Sequence, residues 1–461
     1  MSMRTEHDSL GAIKVPKSAY YGSETARAVE NYPISGLRFH AALIWSIAAI
    51  KKAAAQVNLS LKKLSPRIGR AVIRASEEVM AGKLAAQFVA DVFQAGAGVS
   101  QHMNANEVIA NRALEILRYR KGDYSKIHPH DHVNMSQSTN DVIPTALRIA
   151  AIKVLRDFYP VARRLVAAFS EKARTFRRVV KSGRTHMQDA APVTLGQEFS
   201  GYARAVEKAI ERIQGAERNL RELGIGGSAV GTGLNASPAY RQRLVQNLNR
   251  TTGFNLKEGS NLFELMQSTA DFSSLSGELK TLALSLIQIS NDLRLLSSGP
   301  KTGFHEIELP ARQPGSSIMP GKVNPVMPEM MAMVAFQVVA SDTAISLATQ
   351  AGQLELNVMI PTVCHHLLTS IEILKNGMDA FTRFCVKGIR ANPRRCREYA
   401  ETSYGIAAAL NPYLGYRVAA EVVQESMRTG KTLREIVLRK KLLSPAKLRT
   451  ILSPEKLTQP R

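Results

Sequence analysis

The chain has 461 residues, 45% of them hydrophobic, and a formal net charge of +23. This length exceeds a single small core and predicts two or three domains. It contains no run of about 18 uncharged apolar residues, and its N-terminus lacks the apolar stretch of a secretory signal, so we expect no membrane span and no export.

The charge excess reflects 61 basic against 38 acidic residues. Three readings fit it: nucleic-acid binding, a solvated basic surface, or attraction of a small dianionic substrate. Aromatic residues make up only 6% and are not interleaved with the basic C-terminal residues, which disfavours nucleic acid as a partner. The three cysteines, Cys364, Cys385 and Cys396, show no C-x-x-C spacing and indicate a reducing cytoplasm.

Long helices are predicted for the middle of the chain. Segment 146–180 has apolar residues at steps of three and four, with a kink or break expected at Pro160. Segment 199–223 repeats the pattern, which is typical of a helix with one buried stripe. Three more helices are predicted at 275–296 (apolar on more than one face, hence buried among other helices), 328–347 and 361–386. Since strand-like alternation is scarce, we predict an all-α fold built on an elongated helix bundle.

Two polar loops, near residues 134–140 and 391–393, separate the predicted helices into groups. We predict an N-terminal helical domain at 1–138, a central helix-bundle domain at 139–391 that carries loop 315–325, and a small C-terminal helical domain at 392–461. In the last domain, Ser444-Pro445 and Ser453-Pro454 each predict a helix start, with serine as the cap and proline at the first helical position.

Ser138, Thr139 and Asn140 lie in a polar cluster at 134–141. Hydroxyls and amides donate hydrogen bonds to an anion without repelling it, so these residues are candidates for a carboxylate cradle at a helix start. The same residue types also cap helices. From these residues alone we slightly favour a cap for a helix after Pro144.

Histidines and glycines raise three further possibilities. His186 titrates near neutrality and is a candidate acid or base, although a lone histidine is more often structural. His128, His130 and His132 would share one face of an extended chain and could bind zinc or nickel, but no fourth ligand is evident. The glycine run at 224–233 lacks the Lys-Ser/Thr ending of a P-loop, and close backbone packing is its favoured explanation.

The segment 315–325, with the sequence GSSIMPGKVNP, combines two hydroxyls, a lysine and an amide. Its glycines and prolines break any helix or strand, so it is a loop. Composition alone leaves a catalytic loop and a plain connecting loop equally open.

Taken together, segments 138–141, 183–186 and 315–325 resemble the motifs of the aspartase/fumarase superfamily, and the resemblance covers nearly the whole chain. Lys322-Val323-Asn324-Pro325 is similar to the branch of aspartate ammonia-lyases and class II fumarate hydratases. Segments 134–141, 309–314 and 326–329 look closer to the bacterial aspartate ammonia-lyases. Ser125 and His130 replace the arginine and asparagine of a second anion site in fumarases, which counts against that activity.

The resemblance implies reversible elimination of ammonia from L-aspartate to give fumarate. It implies that Ser316 is the base and that Lys322 and loop amides activate it. The remaining implied roles are these: Ser138, Thr139 and Ser317 hold the carboxylate that takes up charge; Thr185, Lys322 and Asn324 hold the other carboxylate; Asn140 and His186 face the amine; and Glu329 orients His186. Loop 315–325 is expected to close as a lid.

The resemblance also implies a cytoplasmic homotetramer with a common helix core and active sites shared between subunits. It implies a small dicarboxylate or amino-acid substrate, no organic cofactor and no required metal. Val99, His102 and Ile360 depart from the motifs, which expect threonine, asparagine and glutamate there. Two alternatives stay open: a class II fumarate hydratase, and an inactive basic binding protein.

Overall fold

The computed structural model describes residues 2–458, so the outer limits of the predicted terminal domains, residues 1 and 461, lie outside the described residues. Within residues 2–458 the chain forms α-helices joined by loops and four small sheets, which confirms the all-α prediction. The helices are α1 (Ser23–Asn31), α2 (Ala41–Ser60), α3 (Pro66–Met80), α4 (Val99–Ile116), α5 (Thr139–Thr175), α6 (Leu195–Asn219), α7 (Pro238–Thr252), α8 (Leu262–Gln267), α9 (Ala270–Leu296), α10 (Val326–Gln350), α11 (Ile360–Phe384), α12 (Pro393–Thr402), α13 (Asn411–Leu414), α14 (Tyr416–Thr429), α15 (Leu433–Arg439), α16 (Pro445–Ile451) and α17 (Pro454–Thr458).

Each sheet has two strands. Three pairs are antiparallel and one, β5–β6, is parallel. The strands are β1 (Met3–Asp8), β2 (Gly11–Pro16), β3 (Val180–Thr185), β4 (Gln188–Thr194), β5 (Glu222–Leu223), β6 (Lys257–Glu258), β7 (Ile307–Glu308) and β8 (Arg390–Ala391).

The five predicted long helices correspond to α5, α6, α9, α10 and α11. Of the kink or break expected at Pro160, the break does not occur: α5 runs 37 residues through that position. The kink stays a prediction. A proline removes only one donor from the backbone ladder, and the rest of so long a helix is retained. The helix also begins at Thr139, before Pro144, whereas the start was expected after that proline. Ser444 caps α16 as predicted, accepting a hydrogen bond from the backbone N–H of Lys447.

The chain forms two compact units. Unit 1 comprises residues 1–159, 209–283 and 336–375; unit 2 comprises 160–208, 284–335 and 376–461. Each of the five long helices therefore has one segment in unit 1 and another in unit 2. The three-segment division drawn from the sequence stays a prediction about chain organisation.

A buried cluster of charges stabilises unit 2 beside β3. The carboxylate of Glu306 is fully buried and accepts from Lys181 Nζ at 3.0 Å and from Arg184 Nη1 at 3.0 Å. Lys181 also donates to Glu198 at 2.7 Å. The Arg184 guanidinium lies 4.3 Å from the centre of the Phe304 ring. Both cations lie on β3, so Glu306 fixes that strand in place.

We predict that Glu306→Gln lowers the free energy of unfolding by about 3 kcal/mol. The amide removes the negative charge that Lys181 and Arg184 share. Lys181 keeps Glu198, but Arg184 loses its carboxylate partner, and breaking a buried pair in this way is costly. Urea denaturation followed by circular dichroism measures the change. Glu308→Gln, two residues away and half exposed, is the matched control and should change stability by less than about 0.5 kcal/mol. Equal effects of the two variants would contradict the assignment.

Candidate active site

The polar cluster at 138–141 caps helix α5. Ser138 Oγ accepts from the backbone N–H of Asn140 at 3.2 Å, and Asp141 Oδ1 accepts from the backbone N–H of Ser138 at 3.0 Å. This reciprocal arrangement resembles a capping box, except that Ser138 accepts from the second helical residue, Asn140, instead of the third, and aspartate replaces the more usual glutamate. Ser138 therefore acts as a helix cap, as the sequence favoured. The cap also sets the position of Thr139 and Asn140 in the first turn of α5.

Asp141 ties this helix start to the glycine run. Its Oδ2 accepts from the backbone N–H groups of Gly226 at 3.0 Å and Ser228 at 3.1 Å. Gly226 has a φ of +87°, and a Cβ there would lie 2.9 Å from the Arg241 side chain, so only glycine fits without displacement. Close backbone packing is seen elsewhere in the run, where a Cβ at Gly227 would lie 3.0 Å from Gly224 O. Asn140 Nδ2 adds a hydrogen bond to Ala229 O at 2.8 Å.

The Thr139 hydroxyl contacts a row of hydrogen-bonded polar side chains that leads into the protein interior. Its Oγ1 lies 2.7 Å from His102 Nδ1 on α4, and His102 Nε2 lies 2.6 Å from Lys51 Nζ on α2. Lys51 also donates to Asn134 Oδ1 at 2.8 Å and Gln137 Oε1 at 2.9 Å. Thr139 itself is half-buried.

Thr185 and His186 lie at the tip of the β3–β4 hairpin. Thr185 pairs with Gln188, which leaves a two-residue turn of His186 and Met187 with φ values of 54° and 60°. Two successive positive φ values define the hairpin turn that matches strand twist. Left-handed backbone is unfavourable for residues other than glycine and concentrates at functional sites. Both Thr185 and His186 are exposed, so the strained tip presents them to solvent.

Loop 315–325 arranges backbone donors around Ser316. Its Oγ accepts from the backbone N–H of Ile318 at 3.2 Å and of Met319 at 3.0 Å. Hydrogen bonds donated to an oxygen favour its charged form. Ser317 is exposed next to it, and the Ile318 side chain is 84% exposed at the loop tip.

Two contacts close the base of this loop. Gly315 N donates to Lys322 O at 2.8 Å, and Asn324 Nδ2 donates to Gly315 O at 2.8 Å. A Cβ at Gly315 would lie 2.7 Å from Lys322 O, which explains why glycine is required there. Asn324, predicted to bind substrate, thus also fastens the loop through its amide nitrogen.

Lys322, Asn324 and Glu329 line a cleft of about 1040 Å³ in unit 2, together with Arg294 and His305. Within residues 2–458 no hydrogen bond joins the Glu329 side chain to His186, so the orienting role of Glu329 stays a prediction. The predicted residues divide between the units: Ser138, Thr139 and Asn140 belong to unit 1, and the hairpin tip and loop 315–325 belong to unit 2.

The histidine triplet does not form a metal site. The segment is a helical turn (Pro129–Val133) rather than extended chain, so alternate residues do not share a face. His130 Nε2 pairs with Glu24, while His132 Nδ1 accepts from the backbone N–H of His128 at 2.8 Å. Within residues 2–458, no group of three histidine, cysteine or acidic side chains could hold a metal ion.

Sequence reasoning assigned no role to Asp141, Lys51 or Glu306. Asp141 was detectable, because a serine followed three residues later by an acidic residue predicts a capping box. Lys51 lies in an alanine-rich helix and Glu306 in a short loop, and neither belongs to a motif, so only the fold reveals their partners.

Comparison with known proteins agrees with these motifs. The family model described as Lyase matches residues 11–340, and the model of the fumarase C C-terminus matches residues 406–459. The chain is 47% identical to an aspartate ammonia-lyase of Bacillus subtilis, covering 99% of this chain and 96% of that protein. It is 48% identical to an aspartate ammonia-lyase of a Bacillus species, covering 99% and 98%. It is similar to the crystal structure of a fumarate lyase:delta crystallin from Brucella melitensis bound to cobalt, with 45% identity, a TM-score of 0.97 and 100% of each chain covered.

We predict that Asp141→Asn lowers the free energy of unfolding by about 1–3 kcal/mol at pH 7. The amide offers one acceptor oxygen where the carboxylate offers two, so at least one buried N–H loses its partner. Chemical denaturation measures the loss. Asp131→Asn is the control, since that carboxylate is 77% exposed and should be near neutral.

The same pair of proteins tests the charge of Asp141. Burial raises the pKa of Asp141 to about 6, although the three backbone N–H groups oppose the shift. The folded state then binds the proton more tightly than the unfolded state, so the contribution of Asp141 to stability falls as the pH rises from about 4 to about 6. The stability difference between wild type and Asp141→Asn should therefore shrink over that range. A difference that grows with pH would mean that the pKa is lowered.

Proposed function

This chain belongs to the aspartase/fumarase superfamily of lyases, and from that premise we propose that it reversibly eliminates ammonia from L-aspartate to give fumarate. The base takes a proton from the carbon beside one carboxylate, an enediolate-like carbanion forms, and the C–N bond to the neighbouring carbon breaks. Such a proton is a very weak acid, so the reaction needs a strong base and hydrogen-bond donors at the developing charge.

The environment of Ser316 is the observation that carries the proposal. A serine hydroxyl acts as a base only when its alkoxide is stabilised. The two backbone N–H groups that point at Ser316 Oγ support that role. We assign Lys322, on the same loop, as the cation that would stabilise the alkoxide further. We assign proton abstraction to the Ser316 alkoxide, which becomes a hydroxyl when it takes the proton.

Hydroxyl groups at the start of α5 suit the carboxylate that takes up charge. We assign this role to Ser138, Thr139 and Ser317, which donate without adding negative charge to the site. The backbone N–H groups of the first turn of α5 contribute a positive potential there. Asn140 and His186 face the amine in this assignment.

The second carboxylate is assigned to Thr185, Lys322 and Asn324. Lys322 and Asn324 line the same cleft, and the exposed apolar tip of their loop favours a lid that buries Ile318 when it closes over substrate. Closure would exclude water from Ser316 and so strengthen the hydrogen bonds that its oxygen accepts from the loop backbone.

Class II fumarate hydratase remains the second candidate function. The fumarase-type match at residues 406–459 favours it, since the same base and carboxylate sites would serve with water in place of ammonia. Ser125 and His130, where fumarases carry an arginine and an asparagine, favour the ammonia-lyase.

The direct test is the ultraviolet absorbance of fumarate formed from L-aspartate or from malate by the purified protein. We expect absorbance to rise with L-aspartate. A rise with malate alone would identify a hydratase, and no rise with either substrate would favour the basic binding protein.

We predict that Ser316→Ala lowers kcat by at least about 100-fold, the contribution expected of a general base. The measurement is fumarate formation at saturating L-aspartate, with subunit assembly checked by light scattering. Ser260→Ala, an exposed serine bonded to Glu222, is the control and should retain full activity. Substantial turnover by Ser316→Ala would show that Ser316 is not the base.

We further propose that the protein is a homotetramer whose subunits associate through α10. Met333, Phe336 and Leu347 on this helix are 62%, 57% and 61% exposed. With exposed Ala340 and Thr343 they form a seam at steps of three, four, three and four residues. That spacing is the repeat by which helices pack side by side in coiled coils. On α9, Leu284 and Leu295 are also exposed, although this helix was expected to be buried.

Among the described residues, α10 is the one helix long and apolar enough by composition to cross a membrane; its best window has a mean hydropathy of 1.5 and is 39% buried. The helix also carries Asp342, which accepts from the Ser276 hydroxyl at 2.7 Å and pairs with Lys280 at 2.6 Å. We therefore assign the seam to helix packing. Three buried free thiols support a reducing, cytoplasmic location.

We predict that Phe336→Glu in the seam reduces the molecular mass measured by light scattering from that of a tetramer to that of a smaller species. A charge in a packed apolar seam would lose its solvation without gaining a partner. Activity should fall with the mass, because the proposed sites are shared between subunits. Tyr416→Glu, a 79% exposed position outside the seam, should leave the mass unchanged. An unchanged tetramer for Phe336→Glu would exclude this interface.

A further inference from the structure

We propose that Lys51 and His102 are positioning residues that orient the hydroxyl of Thr139, so that its proton always points at the substrate carboxylate. This inference rests on the proposed function, because that function assigns Thr139 to the carboxylate. Neither residue touches substrate in the assignment; both act through Thr139. The contacts that carry it all lie in unit 1.

The acceptors around Lys51 determine the direction of the first hydrogen bond. A lysine ammonium has three donors and no acceptor. Its nitrogen contacts three groups: Asn134 Oδ1, Gln137 Oε1 and His102 Nε2. The amide orientations are fixed independently, because Asn134 Nδ2 donates to Gln137 O and Gln137 Nε2 donates to the carbonyls of Val133 and Met135. Oxygens therefore face the lysine, and each lysine proton has one acceptor.

The histidine then has only one possible tautomer. Since His102 Nε2 accepts, the neutral ring carries its proton on Nδ1 and donates it to Thr139 Oγ1 at 2.7 Å. Complete burial and the neighbouring lysine charge hold the pKa of His102 well below its usual value, so the ring is neutral. Burial also lowers the pKa of Lys51 well below its usual value, although the Asp141 carboxylate opposes that shift. The proton is assigned to Lys51 on geometry: its nitrogen faces two amide oxygens and the His102 ring nitrogen, and an ammonium supplies one proton to each of them.

The orientation of Thr139 follows. A hydroxyl that accepts from His102 still has its own proton to donate. No other partner for Thr139 Oγ1 occurs within residues 2–458, and the residue is half-buried at the start of α5. The proton is therefore directed to an outside acceptor, and a ligand carboxylate supplies one. The buried lysine and histidine thus convert a group that could either donate or accept into a fixed donor.

Two conservative variants of His102 separate positioning from packing. In His102→Asn the side-chain amide occupies the place of Nδ1 and keeps a donor for Thr139. In His102→Gln the amide oxygen occupies the place of Nε2, so Lys51 keeps its acceptor while Thr139 loses its donor. We expect kcat with L-aspartate to fall about tenfold in His102→Gln and less than about threefold in His102→Asn, with a smaller change in KM, because charge develops on this carboxylate in the transition state.

A double-mutant cycle with Thr139→Val tests whether His102 acts through the hydroxyl. If it does, His102→Gln should cause no further loss in the Thr139→Val background, within about twofold. The matched control is His366→Gln, whose Nδ1 lies 3.2 Å from the Ser341 hydroxyl and which the proposed mechanism does not use; its kcat should be unchanged. Independent, multiplying losses in the cycle would overturn the proposal, as would equal losses for His102→Asn and His102→Gln in folded protein of wild-type mass.

Failure of the proposed function gives a different pattern of results. A wild-type protein that acts on malate but not on L-aspartate refutes the ammonia-lyase assignment. The double-mutant cycle is then measured as kcat with malate as the substrate. If neither substrate reacts, the dissociation constant of succinate is measured by calorimetry for the wild type, the two single variants and the double variant. The effects of the two substitutions on succinate binding should then be non-additive in the same way. If the wild type does not bind succinate, the assigned carboxylate site is wrong, and this proposal is overturned with it.

Discussion

The hydrogen bonds of the Asp141 carboxylate determine the local geometry on which the candidate carboxylate site depends. One oxygen accepts from the helix cap at Ser138, and the other accepts from Gly226 and Ser228 in the glycine run. Two segments about 85 residues apart in sequence are thereby fixed to one buried group. The position of Thr139, between Ser138 and Asp141, follows from this constraint. The three backbone hydrogen bonds favour the ionised carboxylate, but its burial costs more, so Asp141 positions these segments without being stabilised by its charge.

In unit 2 as well, candidate site residues at the surface are attached to firmly bonded segments. The hairpin tip with Thr185 and His186 is strained and exposed, while Arg184 directly before it is bound to the buried Glu306. Ser316 is in an exposed loop, while Gly315 and Asn324 close the base of that loop. Rigid support beneath an adaptable surface is what an elimination reaction needs, since the base must be placed accurately and the substrate must still enter.

Sequence periodicity predicted the five long helices because one buried stripe per helix requires apolar residues at fixed steps. Of the kink or break expected at Pro160, the break does not occur, since a helix of 37 residues continues despite one missing backbone hydrogen bond. The composition of loop 315–325 predicted its irregular structure, but the two amides that point at Ser316 depend on backbone angles that composition does not specify. His102 was visible only as a departure from a motif. Its partner Lys51 is 51 positions away, and a contact at that separation has no local sequence signal.

The exposed seam of α10 has a consequence for how the protein behaves on dilution. In the proposed homotetramer, association removes that apolar surface from water, so assembly and subunit stability are linked by mass action. The thermal midpoint of unfolding should then depend on protein concentration, and dilute solutions would contain subunits with Met333, Phe336 and Leu347 uncovered. Such subunits would be prone to aggregate through the same surface. The abundance of the protein would therefore help to determine how long it stays folded.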